Sequence, residues 1–407
     1  MCRFRRERLT SFGSAFAFFL AFGACASGCS STSGSEPSGG AAGATLAGGG
    51  TSTAGVSGGG QTSGGAASAG NGGAVNGGAT SAGTNAGGAG ASGGGATTGG
   101  VSGAATGGTG GGGIPAVDPN KRKLLLRDEG NSAVHYVDLG DPSKNWHQVV
   151  PTGRDLQLIG AHQFLIGTDN GYQERSLADG KVVKDVTSYP GTLAAHRLHN
   201  GNTLLSGVDF HGGKGIVLFQ ITPQGGAGPQ IEYPGTYVRM VREAAGDHFL
   251  MTADTHVFEG DTQGKVVWDV TVQGGPAAPH AWEALRLASG DVIISAGYAA
   301  GLEIFGADKQ LKQTITGGDD AKPNYFADFQ VMPSGNYVVA NWQGHGVGLG
   351  ANGLQLLEYD TAGKLVWSWK QDATFVSSLQ NVIVLDGLDL DKLQVENPQT
   401  GVLESAN

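Results

Sequence analysis

Four segments of the chain share one pattern of hydrophobic and polar positions. In each, a short apolar run leads to a polar turn that ends in Gly-Asn or Gly-Asp, and a second apolar run follows. A glycine beside a short polar residue between two such runs predicts a β-hairpin. The four copies are HRLHNGNTLLSG (196–207), VREAAGDHFLMT (241–252), LRLASGDVIISA (285–296) and QVMPSGNYVVAN (330–341).

The turn glycines of these copies recur at a nearly constant spacing. Gly201, Gly246, Gly290 and Gly335 are 45, 44 and 45 residues apart, and LQLIGAHQFLIG (156–167) is a poorer fifth copy. A second hairpin follows most copies, as in FEGDTQGKVVWDV (258–270) and LEYDTAGKLVWSW (357–369). Four short strands in each such period are typical of a β-propeller blade.

The two ends of the repeat region complete a ring. Residues 123–151 supply only three strands, and LQNVIVLD (379–386) is a single strand without a hairpin partner. If that strand is the innermost one of the first blade, the 264 residues from 123 to 386 make six blades at the observed period. Closure also removes the free edges of an open stack of sheets. The sequence therefore predicts an all-β fold, a six-bladed β-propeller of four-stranded antiparallel blades.

Composition separates the propeller from a long N-terminal segment. Residues 31–114 contain 34 of the 74 glycines, one charged residue and no aromatic residue, so we expect a disordered Gly/Ser/Ala-rich linker. Before it, four arginines precede an apolar run (12–24) that is too short to span a bilayer, as in a secretory signal peptide. The predicted organisation is a signal peptide (1–28), a tether (29–114), the propeller (115–390) and a C-terminal tail (391–407).

The end of the signal peptide resembles the lipobox of bacterial lipoproteins, in which a cysteine after small residues becomes the lipidated first residue. Cys29 follows Ala-Ser-Gly and is the expected lipidation site, while Cys25 after Phe-Gly-Ala is the alternative. The resemblance implies a lipid anchor in the cell envelope, and the serine after Cys29 implies the outer membrane. A soluble secreted protein is the other interpretation. A tether of this kind would have an r.m.s. reach of about 50 Å, which would hold the propeller clear of the lipid.

Charge and cysteine usage exclude several classes of function. The formal net charge is −10, and arginines are concentrated in the first ten residues, so the folded part is strongly acidic and nucleic acid is not an expected partner. All three cysteines lie in the first 29 residues, which leaves the propeller without a disulfide or a thiolate site. No histidine pair has metal-ligand spacing, so we do not predict a metal site. We also predict no cofactor. The protein is expected to be a monomer.

Several motifs carry a resemblance to one family of propellers. HRLHNGNTLL, DFQVMPSGNYVVANWQGHG, YDTAGKLVWSW and NVIVLDGLD make residues 123–390 similar to the PQQ-like and arylsulfotransferase-like group of bacterial propellers, whose members are mostly uncharacterised. For an arylsulfotransferase, the resemblance implies a histidine that takes a sulfuryl group from one phenol and passes it to another. His211, His280 or His345 would be that nucleophile, with Arg239 stabilising the oxyanions.

The expected site lies on one face of the ring. With strands A to D counted from the axis outward, the short A–B and C–D turns share one face, here the turn face, which we expect to be mostly structural. The variable B–C and D–A connections share the opposite loop face, where function is expected. Polar residues seven positions before the turn glycines should line the mouth of the central tunnel. The predicted ligand-binding residues are His196, His256, Trp282, Glu283, Tyr325, Asp328 and Trp342.

Two other motifs are predicted to be structural. The G-x-G-x-x-G match at 348–353 precedes a strand, so it lacks the context of a dinucleotide site. Trp268, Trp367 and Trp369 fall on D strands at repeat-equivalent positions and are expected to pack between blades.

Two functions from different classes remain open at this stage. The first is a surface-tethered lipoprotein whose funnel binds a protein, peptide or glycan without catalysis. The alternative is an arylsulfotransferase-like enzyme that uses a funnel histidine. A role in envelope assembly is a further possibility. The sequence does not decide whether the protein is an enzyme.

Overall fold

The computed structural model describes residues 118–274, 280–317 and 321–406. The predicted signal peptide, the tether and the cysteines lie outside the described residues. No helix among the residues described is long and apolar enough to cross a membrane.

The described chain begins with three strands and continues in five complete four-stranded sheets. The first three strands are β1 (Lys123–Asp128), β2 (Ala133–Asp138) and β3 (Trp146–Val149). The second blade contains β4 (Leu156–Gly160), β5 (Gln163–Thr168), β6 (Gly171–Ser176) and β7 (Val182–Val186). The third contains β8 (Thr192–Arg197), β9 (Thr203–Val208), β10 (Ile216–Ile221) and β11 (Ala227–Tyr233).

The next three blades follow the same antiparallel order. The fourth contains β12 (Val241–Ala244), β13 (His248–Ala253), β14 (His256–Gly260) and β15 (Val266–Thr271). The fifth contains β16 (Ala284–Arg286), β17 (Val292–Ser295), β18 (Gly301–Phe305) and β19 (Leu311–Thr316). The sixth contains β20 (Tyr325–Val331), β21 (Tyr337–Trp342), β22 (Leu356–Tyr359) and β23 (Leu365–Trp369).

The ring closes by the predicted exchange between the two ends of the chain. β24 (Leu379–Val384) pairs with β1 and completes the first sheet in the order β24-β1-β2-β3. Buried Asp128 fixes this junction, because its carboxylate accepts the backbone N–H groups of Ser377 at 2.7 Å and Ser378 at 2.8 Å. The predicted six-bladed propeller and its closing strand are confirmed.

The hydrophobic core is divided among the junctions between neighbouring blades. Five of the six buried clusters lie between two adjacent blades, as Phe305 of the fifth blade packs with Val257 and Trp268 of the fourth. The cluster between the sixth and first blades also includes Ala194, Met240 and Trp282 of other blades. The fourth-blade Trp268 therefore packs in the core as predicted, and the guanidinium of Arg286 lies 4.3 Å from its ring. Trp367 and Trp369 pack in the same way against the cluster between the sixth and first blades.

The segment predicted as a C-terminal tail contains two further strands. β25 (Gln394–Glu396) and β26 (Leu403–Ser405) form a hairpin that the sequence analysis did not predict. Leu393 forms a β-bridge with Ile159 of the second blade, and Val402 forms one with Val331 of the sixth. The hairpin therefore lies across the axis of the ring, at the turn face.

Candidate functional site

The inner strands bring a group of aromatic and cationic side chains together at the loop face. Trp282 lies two residues before β16, Tyr325 begins β20 and Trp342 ends β21, so all three lie at the same end of their blades. Ring centroids are 5.9 Å apart between Trp282 and Tyr325 and 5.2 Å apart between Tyr325 and Trp342, both in edge-to-face orientations. We call this region the funnel mouth; it consists of Arg154, Tyr237, Arg239, His280, Trp282, Tyr298, Tyr325, Trp342 and His345.

Arg239 occupies the centre of the funnel mouth. Its guanidinium carbon lies 4.6 Å from the Trp282 ring centroid and 5.2 Å from that of Tyr237. Its Nη1 donates to Tyr325 Oη at 2.7 Å. Arg154, from the second blade, lies 5.9 Å from both the Trp282 and Tyr237 rings, so two cations share two aromatic side chains.

Tyr325 links the arginine to the backbone of the neighbouring loop. Burial raises the pKa of Tyr325 well above its usual value, against the effect of Arg239, so the phenol stays protonated. Its hydroxyl donates to the carbonyl oxygen of His280 at 3.2 Å. This chain of hydrogen bonds fixes the guanidinium at the tunnel entrance.

Two histidines at the funnel mouth are each held by a carboxylate. His280 Nδ1 lies 2.6 Å from Asp254 Oδ1, and His345 Nδ1 lies 2.9 Å from Glu129 Oε1. Glu129 also accepts the indole N–H of Trp342 at 3.3 Å. In each pair the carboxylate contacts Nδ1, so Nε2 is the nitrogen that a ligand or substrate can reach.

The tunnel below the mouth contains a buried ion-pair network. Arg242 donates from Nη1 to Asp155 Oδ2 at 2.8 Å and from Nη2 to Asp155 Oδ1 at 3.1 Å. Its Nη2 also pairs with Glu283 Oε1 at 2.5 Å, and its Nε lies 3.3 Å from Glu396 Oε1 of the hairpin. His196 Nδ1 lies 3.2 Å from Asp155 Oδ2.

The guanidinium of Arg242 thus faces the three carboxylates of Asp155, Glu283 and Glu396. One positive charge cannot compensate three negative charges, and this imbalance affects the pKa values of the carboxyl groups. Burial opposes ionisation of Asp155, but Arg242 and His196 more than offset it and hold its pKa below the usual value. Burial, with the charges of Glu396 and Asp155, raises the pKa of Glu283 to about 7 against the attraction of Arg242. The carboxyl of Glu283 can therefore take up a proton near neutral pH.

The C-terminal hairpin blocks the turn-face end of the tunnel. Gln157 Nε2 donates to the carbonyl oxygen of Gln394 at 3.2 Å, and Glu396 pairs with Arg242. The enclosed cavity above the hairpin measures about 40 Å³, room for a few water molecules but not for a larger ligand.

Several predicted site residues come together, and others do not. His280, His345, Arg239, Trp282, Tyr325 and Trp342 meet at the funnel mouth as expected. His211 lies apart on the outer strands of the third blade, where its ring stacks on Phe219 at 3.9 Å and bonds Gln230 at 3.0 Å. His256 is exposed, and its ring contacts Thr271 on the outermost strand of its blade.

Three predicted residues lie deeper than the expected rim. His196 is the fifth of the six residues of β8, whose first residue lies at the loop face. Its side chain is therefore buried in the tunnel near the turn face. Glu283 and Asp328 line the enclosed cavity below the mouth, and Asp328 accepts the backbone N–H of Val382 at 2.9 Å. Glu283 and Asp328 occupy the repeat position that was expected at the mouth, but their side chains line the cavity below it.

Sequence reasoning missed several residues of the funnel mouth. Tyr237 lies two positions before Arg239, so the two share one side of an extended segment, and this spacing could have identified it. Tyr298 lies in the connection between β17 and β18, 4.7 Å from the Tyr325 centroid, and is 39% exposed. Asp254 and Glu129, the partners of the histidines, carry no local sequence signal.

The closed ring of six four-stranded sheets defines the chain as a six-bladed β-propeller. No family model and no curated protein matches its sequence. A protein of unknown function from Bacteroides caccae is similar in structure, with a TM-score of 0.53 and 18% identity over 64% of this chain and 98% of that one.

Two named propellers are more distant. Regucalcin from Agrobacterium tumefaciens gives a TM-score of 0.43 at 12% identity, over 63% of this chain and 91% of that one. A catalytically inactive virginiamycin B lyase from Staphylococcus aureus gives 0.41 at 10%, over 63% and 87%. Likeness at such identities shows the fold alone.

Proposed function

We propose that this protein is a lipoprotein of the bacterial cell envelope whose propeller binds a protein, peptide or glycan at the funnel mouth. The observation that carries the binding role is the arrangement of Arg239 and Arg154 over Trp282 and Tyr237. Tryptophan, tyrosine and arginine contribute most of the binding energy at protein interfaces. Here they are held in place before a ligand arrives, which lowers the entropy cost of binding.

The charge of the mouth favours a ligand with an anionic group beside a ring or an apolar side chain. Arg239 donates a hydrogen bond to the neutral phenol of Tyr325, so its charge is available to a ligand. Exposed Tyr298 provides an aromatic surface next to it. A guanidinium beside aromatic rings binds a carboxylate, sulfate or phosphate together with an attached ring.

Binding can be tested by probing peptide and glycan arrays with the full chain. We expect bound probes to lose most of their signal with Arg239→Gln and with Tyr298→Ser. Lys214→Gln removes a cation from the connection between β9 and β10 of the third blade and serves as the control. If the probes bind all three variants equally, the proposal that the funnel mouth is the binding site is refuted.

The lipid anchor is tested separately by metabolic labelling with an alkyne fatty acid. Cys29→Ser should abolish the label and Cys25→Ser should retain it. The reverse result would assign the anchor to Cys25. If neither the unchanged protein nor either variant takes up the label, the prediction of a lipid anchor is refuted.

A sulfuryl-transfer enzyme is the second candidate, and the Asp254–His280 pair is the observation that favours it. The carboxylate at 2.6 Å would orient the imidazole and stabilise its cation while Nε2 attacks a donor. Turnover of an aryl sulfate with a phenol acceptor should disappear with His280→Asn. His211→Asn is the matched control, because that ring lies on the outer strands.

A further inference from the structure

A wide groove lies on the turn face, which the sequence analysis expected to be mostly structural. It measures about 1010 Å³ and is bounded by the A–B turns of the third, fourth and fifth blades and by one side of the C-terminal hairpin. Small-molecule and cofactor sites have volumes of this order, about 300–1000 Å³. We call it the turn-face groove. It does not include the funnel mouth, which belongs to the opposite face.

The floor of the groove is apolar. Five side chains from three blades line it: Leu198, Ile231, Phe249, Leu285 and Leu287. Pro398 and Val395 of the hairpin add apolar surface to one wall. Four of the floor side chains are buried in the blade cores, so the apolar surface that a ligand can contact lies chiefly at Leu287, Val395 and Pro398. Such a surface favours a ligand with aliphatic or aromatic side chains.

The walls carry carboxylates that outnumber the cations. Glu243, Asp247 and Glu396 line the groove, and Asp247 is exposed in the turn between β12 and β13. Arg286 is the only arginine or lysine among the described lining residues, and its Nε pairs with Glu259 Oε2 at 2.5 Å. Glu396 also pairs with Arg242 behind this wall, so Glu243 and Asp247 are the carboxylates that give the groove its negative charge.

The polar side chains around the floor are held in fixed positions. His199 Nδ1 lies 2.6 Å from Glu243 Oε1, and the His199 backbone N–H donates to Glu243 Oε2 at 2.8 Å. Asn202 Nδ2 donates to Gln220 Oε1 at 2.8 Å. These bonds keep the carboxylate of Glu243 at the wall, so its position is set before a ligand arrives.

We propose that the turn-face groove binds an extended cationic peptide, with apolar side chains on the floor and lysine or arginine side chains at Glu243 and Asp247. Alternate residues of an extended peptide point to opposite sides. One set can then contact the floor while the set between reaches the carboxylates at the rim. Complementary charge would also accelerate association and make it sensitive to salt.

The test uses three fluorescein-labelled heptapeptides and the full chain. We expect the peptide of alternating lysine and leucine to bind by fluorescence anisotropy, and more weakly as sodium chloride is added. The peptide of alternating glutamate and leucine should not bind, and the one of lysine and glycine should bind more weakly. The double variant Glu243→Gln/Asp247→Asn should lose affinity by about tenfold, because two charge pairs are removed.

A matched control removes the same charge elsewhere. Asp185→Asn/Asp269→Asn changes two exposed carboxylates on the outermost strands β7 and β15 and should leave binding unchanged. Hydrogen exchange should show peptide-dependent protection at 243–249, 285–290 and 394–398. Absence of binding, equal loss in both double variants, equal binding of the glutamate peptide, or protection confined to the funnel mouth would each overturn the proposal.

Discussion

Replacing Arg242 tests whether the tunnel network stabilises the propeller. The side chain is 5% exposed and makes two hydrogen bonds to Asp155, one ion pair to Glu283 and one to Glu396. Arg242→Met keeps much of the side-chain volume but leaves these carboxylates without their cation. Removing one partner of a buried ion pair costs about 3–5 kcal/mol, because the remaining charge is buried and uncompensated.

The structure places the expected loss in that range. Asp155 is fully buried and would lose both of its bonds to the guanidinium, and hydrogen bonds to charged groups contribute about 1.5–3 kcal/mol each. Two features limit the loss. His196 still contacts Asp155, and Glu283 can take up a proton because its pKa is already raised to about 7. We therefore expect a loss of about 3–5 kcal/mol in the free energy of unfolding.

Urea unfolding followed by tryptophan fluorescence measures this loss at neutral pH. Lys309→Met is the control, because its pair with Asp269 at 2.7 Å is exposed on both sides and should contribute no more than about 1 kcal/mol. The triple variant Arg242→Met/Asp155→Asn/Glu283→Gln should regain much of the lost stability, since no buried charge is left unpaired among these residues. A single variant that loses less than about 1 kcal/mol would refute the reasoning.

Three further predictions concern the closure, the network and the hairpin. Because the pKa of Glu283 is higher in the folded protein, its contribution to stability is lost as pH rises from about 4.5 to about 7, and Glu283→Gln should remove that part of the pH dependence of urea unfolding. Asp128→Asn weakens the acceptor of Ser377 and Ser378 at the ring closure and should cost about 2–3 kcal/mol in urea unfolding. Gly401→Ala should speed hydrogen exchange across 391–406 alone, because φ is +74° and a Cβ would lie 2.6 Å from Leu285 Cδ2. Unchanged exchange there would contradict the proposed packing.

The repeat made the scaffold predictable from the sequence. Gly201, Gly246, Gly290 and Gly335 all have φ between +80° and +87°, so their turns need glycine, and the spacing of the glycines gives the period of the blades. The closing strand was also predictable, because the sequence has one blade with only three strands and one strand without a hairpin partner, and pairing the two completes the blade. Register with β1, such as Leu124 opposite Val384, follows from that closure.

The positions of the site residues were only partly predictable, because sequence order gives the face of the ring but not the distance from its axis. His211 and His280 both follow strands that end at the loop face. Packing of Phe219 against the His211 ring draws the first outward, whereas Asp254 and Tyr298 hold the second at the funnel. These contacts join side chains of loops and neighbouring strands, and they leave no pattern in a single sequence.

The hairpin was missed for a related reason. Its strands have three residues each and do not repeat anything earlier in the chain. What fixes them is the shape and charge of the tunnel end, where Arg242 meets Glu396 and Gln157 meets Gln394. A segment whose structure depends only on tertiary contacts is predicted as an unstructured tail when the sequence is considered alone.

Equivalent positions of the repeat carry side chains of opposite charge at different depths of the tunnel. Arg154 and Arg239 face the funnel mouth, while Asp328 and Glu283 line the cavity below it. An anionic ligand is therefore attracted to the mouth and opposed further in, and the cavity of about 40 Å³ leaves no room for passage. Because the hairpin blocks the other end, a ligand in the turn-face groove contacts a different set of charges. Glu396 pairs with Arg242 in the tunnel and also lines the groove, so the proposed groove site is connected to the tunnel network through this carboxylate.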